Sequence, residues 1–212
     1  MTFSLIRFLE VNYIMLICFP SLGYLLCTNG NDKENFSRTF CTNFVNILVF
    51  TYFLYPTNFS FIFYPSFNFI TLVWIVTSSV LCLSIDFGLY YVLYRKLKIS
   101  VVSQKKFSII ILVIVLIPLM EEVLFRGLLC SALKLITYNR AIYVLLSSIA
   151  FSLNHIIYPK HNVFSKFLWG IILGCAYVIT GNIVVPITSH IINNLVIYWI
   201  GYVQNKKNGG IK

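Results

Sequence analysis

Glu121 and Glu122 stand side by side within an apolar run, and Arg126 follows four residues later. The run, from Phe107 to Leu129, is long enough to cross a bilayer, where ionisable side chains are costly and normally serve a function. Two of the three histidines lie in similar surroundings. Phe151-Ser-Leu-Asn-His155 places Phe151 and His155 one helical turn apart, and His190-Ile-Ile-Asn-Asn194 does the same for His190 and Asn194. Three separate segments therefore each aim polar groups into the protein interior, where carboxylates and imidazoles can move protons.

Each piece also has a plainer use. A Glu–Arg pair at i,i+4 is commonly a structural ion pair, the role expected of Glu122 with Arg126. Glu121 lies about 100° further round the helix and cannot share that partner equally, which leaves it for chemistry. A lone membrane histidine or asparagine commonly bonds helix to helix. Such readings weaken when applied together, because these residues make up most of the polar inventory of three separate segments. His161 lies in a Pro-Lys-His-Asn loop and is expected to be solvated.

The three motifs in order, Glu121-Glu122-Val-Leu-Phe-Arg126, Phe151-Ser-Leu-Asn-His155 and His190-Ile-Ile-Asn-Asn194, resemble the pattern of the intramembrane CAAX-processing and bacteriocin-processing peptidases, the CPBP or Abi family. The resemblance covers roughly 107–203. It implies hydrolysis of a peptide bond in a membrane-associated protein or peptide, either CAAX-type processing or bacteriocin processing with self-immunity. Carried over, Glu121 and His155 activate water, His190 and Asn194 stabilise the oxyanion, and Glu122, Arg126 and Phe151 support the site. The family has been described as metallopeptidases, and Glu121, His155 and His190 could form a three-ligand zinc site. H-E-x-x-H is absent and Asn194 is a poor zinc ligand, so a metal-free mechanism is slightly preferred and the metal stays open. Two other readings remain: a proton- or ion-coupled transporter, since Glu and His chains also relay protons, and a catalytically silent scaffold or immunity protein.

Composition says what must position these groups. Hydrophobic residues are 59% of the 212, charged residues 10% and mean hydropathy is +0.86, whereas a soluble domain carries roughly a quarter charged residues. The expected fold is all-α: one polytopic integral-membrane helical bundle. Apolar runs at about 5–27, 40–56, 69–94, 107–134, 141–158, 166–180 and 183–203 suggest about seven spans, within six to eight. Residues 1–106 supply spans without recognisable motifs, 107–203 the peptidase-like core, and 204–212 a basic tail. The partners are the lipid bilayer and the substrate.

The net charge of +10 comes from bases that flank apolar runs rather than form a stripe, so nucleic acid is excluded as a partner. Arg95, Lys96, Lys98, Lys105 and Lys106 fill one loop and Lys206, Lys207 and Lys212 close the chain, placing both in the cytoplasm and the protein in the cell membrane. That topology sets His155 near the inner end of its segment and His190 near the outer end of its own, a tension that a tilted or re-entrant segment would resolve. The six cysteines, Cys18, Cys27, Cys41, Cys82, Cys130 and Cys175, have no CxxC spacing and read as free thiols.

Overall fold

The structure, a computed structural model, describes residues 12, 17–18, 33–54, 67–95, 111–133, 139–156 and 158–207. Among these every regular element is a helix. We number them α1 (Lys33–Leu54), α2 (Phe69–Tyr94), α3 (the consecutive pieces Leu112–Leu116, Ile117–Glu122, Val123–Leu128 and Leu129–Leu133), α4 (Arg140–Leu153), α5 (Lys160–Thr180) and α6 (Val184–Lys207).

Helix ends follow local chemistry. The Asn68 side chain accepts from the Thr71 N–H at 2.8 Å to start α2, and Asn139 accepts from Ala141 and Ile142 to start α4. Gly181 ends α5 in the left-handed region at φ +64°, with its N–H on Tyr177 O at 2.8 Å. Asn182 Oδ1 then accepts from the Val184 N–H at 3.0 Å, so α6 begins within a tight turn.

α2, α5 and α6 are long and apolar enough to cross a membrane, and α4 is a shorter apolar helix. Many of their large apolar side chains, such as Ile70, Leu72, Val76, Trp199 and Tyr202, point outward. An exposed apolar surface of this extent suits lipid contact. The protein is thus a helical integral-membrane protein, but three helices of that kind do not carry the seven-span count. The run at 5–27 falls almost wholly outside the described residues. The run at 107–134 becomes α3, whose separate pieces are each short. The run at 69–94 coincides with α2, whereas α5 begins at Lys160 rather than 166, because Pro159 caps a first turn made of polar residues.

α3 alternates between α and π turns, with π segments at Leu112–Leu116 and Val123–Leu128. Pro118 explains the first in part: it has no N–H and its ring crowds the preceding turn, so a widened turn relieves it. In the second, the Leu129 N–H reaches back five residues to Leu124 O. Such single π turns inside α-helices are rare and gather at functional sites. This one lies immediately after Glu121 and Glu122.

The closest helix approach is α4 on α5. A methyl group built on Gly170 would meet Ser148 Cα at 2.7 Å, and one on Gly174 would meet Val144 at 3.3 Å. Gly170-Ile-Ile-Leu-Gly174 is a small-xxx-small seam that lets the two backbones touch. Gly170→Val should therefore force the helices apart, destabilising the protein by about 1–3 kcal/mol. A thermal unfolding midpoint in detergent within a degree of wild type would show that the seam tolerates the bulk.

The remaining helices are tied by specific polar contacts. Ser78 and Ser189 hydroxyls meet at 2.7 Å and Ser189 donates to Ile75 O, joining α2 to α6. The Trp169 indole N–H donates to Cys82 O at 3.0 Å, joining α5 to α2. The described cysteines, Cys18, Cys41, Cys82, Cys130 and Cys175, are free, as their spacing suggested, while Cys27 lies outside the described residues.

Candidate functional site

The polar residues of α3, α4 and α6 converge on Glu121. Its carboxylate is almost fully buried, with Oε1 3.8 Å from His155 Nε2 and Oε2 3.8 Å from His190 Nε2. His155 sits in the turn directly after α4, whose end at Leu153 brings the ring to Glu121 without a full crossing. The two histidines thus meet at one carboxylate although they belong to segments of different length.

Each imidazole is oriented by its other nitrogen. His155 Nδ1 lies 2.9 Å from Phe151 O, and a carbonyl can only accept, so the hydrogen is on Nδ1 and Nε2 turns a lone pair toward Glu121. His190 Nδ1 lies 2.8 Å from Glu122 Oε1, and donation to this carboxylate fixes its ring in the same sense. With Nδ1–H given to Glu122, Nε2 of His190 becomes a donor only when the ring carries a second proton, and the Glu122 carboxylate is the group facing that charge. His190 is thereby equipped to hold a second proton, while His155, resting on a neutral carbonyl, is equipped to accept one.

Glu122 and Arg126 are both fully buried. Arg126 Nε is 3.1 Å from Glu122 Oε2, close enough for the charges but poorly aligned for a hydrogen bond; Nη1 donates to Oε1 at 3.3 Å. Nη2 reaches Gly170 O at 3.5 Å, and the guanidinium carbon stands 4.7 Å over the Phe151 ring. The pair is therefore more than a helix staple. Through Glu122 it holds His190, and through Phe151, whose ring is 4.9 Å from that of His155, it supports the other histidine.

Asn194 is half-buried, whereas its neighbour Asn193 is completely buried with neither amide atom partnered among the described residues. Such groups are rare enough to call for an explanation such as an ordered water or a bound ligand. His161 is held by Tyr94, whose hydroxyl lies 3.2 Å from its Nδ1, at the common end of α2 and α5.

A second charged cluster abuts the first. Lys166 Nζ lies 3.2 Å from the Trp169 ring centroid and 3.9 Å from Asp86 Oδ2, the Ser165 hydroxyl donates to Asp86 Oδ1, and the Trp169 ring packs edge-on against His190 at 5.4 Å. Neither Lys166 nor Asp86 belongs to the three motifs. The signal was available: Asp86 is the sole acidic residue of the run 69–94, and an acid within a span is a site marker by default.

Comparison with known proteins gives one match. Residues 103–196 match the family model described as type II CAAX prenyl endopeptidase Rce1-like, a stretch that contains all of α3, α4 and α5 and the first half of α6, with Glu121, His155 and His190. No curated protein matches the chain, and no solved structure does.

Proposed function

On the premise that residues 103–196 are an Rce1-like domain, we propose that this integral-membrane protein is an endopeptidase that hydrolyses a peptide bond of a membrane-associated substrate, with a prenylated C-a-a-X protein as the class to test first. The observation that carries the reading is the meeting of the Glu121 carboxylate with the Nε2 atoms of His155 and His190 at 3.8 Å each. Such gaps are too long for direct hydrogen bonds and suit a bridging water.

A water there donates one hydrogen to Glu121 and one to His155 Nε2, leaving its lone pair free for a carbonyl carbon. Glu121 takes the proton as the oxygen adds to that carbon. The negative charge that develops on the carbonyl oxygen falls to His190 when its Nε2 carries a proton, with the Glu122 carboxylate held on Nδ1, and to the Asn194 amide. When the C–N bond breaks, Glu121 returns the proton to the leaving amine. The water's second hydrogen stays on the new carboxyl group, which can release it to His155 Nε2 or to solvent as the product leaves.

A zinc ion was considered for the same three side chains. Their chemistry suits it, since each histidine has its Nδ1–H held by an acceptor as zinc ligands do. Their spacing does not: bonds of 2.0–2.1 Å set two ligands of a tetrahedral zinc about 3.3 Å apart. Among the described residues no three His, Cys, Asp or Glu side chains are grouped to share an ion.

The test is the purified protein in liposomes without an ion gradient, given a quenched farnesylated C-a-a-X peptide. Cleavage supports the reading, and ion flux without cleavage would replace it with transport. Cleavage should also survive a strong chelator. Loss of activity that zinc alone restores would move Glu121 from base to ligand.

A further inference from the structure

The cluster formed by Asp86, Ser165, Lys166 and Trp169 has no part in the hydrolysis described above. Lys166 lies almost two turns inside α5, a helix able to cross the membrane, where an ammonium is expensive and marks function. It is fixed on two sides. The Trp169 ring lies beneath it at 3.2 Å, and the Asp86 carboxylate faces it at 3.9 Å, beyond hydrogen-bond length.

Among the described residues the ammonium makes no hydrogen bond, and the donors not turned to the Trp169 ring are left for another acceptor. Its side chain keeps 16% exposure, so it is not sealed. Structural neutralisation of Asp86 would be expected to draw the two groups into direct contact; instead Asp86 accepts from Ser165 and stands off. The result is a compact cation, aimed and held, with its hydrogens free for an incoming acceptor.

Its distance from the chemistry limits what that acceptor is. The separations of 3.2 Å to Trp169 and 5.4 Å from Trp169 to His190, laid end to end, bound the distance from Nζ to the His190 ring at about 9 Å. An extended peptide advances about 3.3–3.6 Å per residue, so at most two to three residues fit within this bound. We propose that Lys166 is a specificity-determining residue that receives the C-terminal carboxylate of a substrate ending within three residues of the scissile bond. The proposal rests on the endopeptidase reading and adds the rule by which that site selects a chain end. Asp86 holds the cation in position while the site is empty, and Trp169 couples its position to His190.

The full-length protein in liposomes is given a quenched farnesylated peptide ending in Cys-Ile-Val-Ser, once as the free acid and once as the C-terminal amide. The acid should be cleaved with kcat/KM roughly tenfold or more above the amide, the worth of a hydrogen bond to a charged group. Lys166→Met should bring that ratio to within about twofold of one, and Lys166→Arg should keep part of it. Equal cleavage of both peptides by the wild type, or a ratio unaltered in Lys166→Met, overturns the proposal and leaves the peptidase reading standing. Cleavage of neither peptide overturns the peptidase reading instead. Binding then decides about Lys166: with Trp74 and Trp199 changed to Phe, Trp169 fluorescence should respond to the acid at lower concentration than to the amide. An equal response to both rules out carboxylate recognition.

Discussion

Glu121→Ala is expected to lower peptide cleavage by about 10²–10⁴-fold, the range that general acid–base groups contribute, while expression and membrane insertion stay near wild type. The carboxylate faces the two histidines across gaps of 3.8 Å and makes no hydrogen bond among the described residues on which the fold would rest. His155→Ala should act in the same direction, because the water then loses one of its two acceptors. Steady-state cleavage in liposomes, normalised to folded protein, measures both. Glu121→Ala retaining more than a tenth of the activity would remove it from the water-activating role.

Glu122 and Arg126 should behave in the opposite way, with the loss falling on the fold. Both are fully buried, and removing one charge strands the other at a typical cost of about 3–5 kcal/mol. Glu122→Ala and Arg126→Met should each reduce the yield of monodisperse protein in detergent sharply. The double change Glu122→Gln, Arg126→Met should recover part of that yield. It removes both charges and leaves a Gln oxygen to accept from His190 Nδ1, which now lies 2.8 Å from Glu122 Oε1. Single variants that fold at wild-type yield but lose activity would show that the pair serves the chemistry alone.

The portion of this arrangement legible in the sequence is that written in short-range spacing. Glu122 to Arg126, Phe151 to His155 and His190 to Asn194 are all one helical turn, and a helix turns such spacing into adjacency whatever surrounds it. The limits of α2 were equally visible, since Asn68 and the apolar composition that follows mark its start. Contacts between segments were not. Nothing in the chain near residue 82 announces that Cys82 O will accept from Trp169, or that Asp86 will face Lys166 from 80 positions away. The π turn after Glu122 also escapes a periodicity argument, because one widened turn alters the phase of everything downstream without leaving a pattern of its own. Nor did the spacing show that the ion pair would reach past its own helix to orient His190.

The brevity of α4 has a consequence for the bilayer itself. Fourteen residues rise about 21 Å, against a hydrocarbon thickness of about 30 Å. A helix this short, anchored by Arg140 at one end and turning at Asn154 at the other, leaves a mismatch of several ångströms. Lipids can meet it only by thinning or by yielding that space to solvent. Thinning at the His155 end of α4 would bring water nearer to Glu121, so the shortest of the described helices would ease the supply of the reactant that a hydrolase buried in oil most lacks.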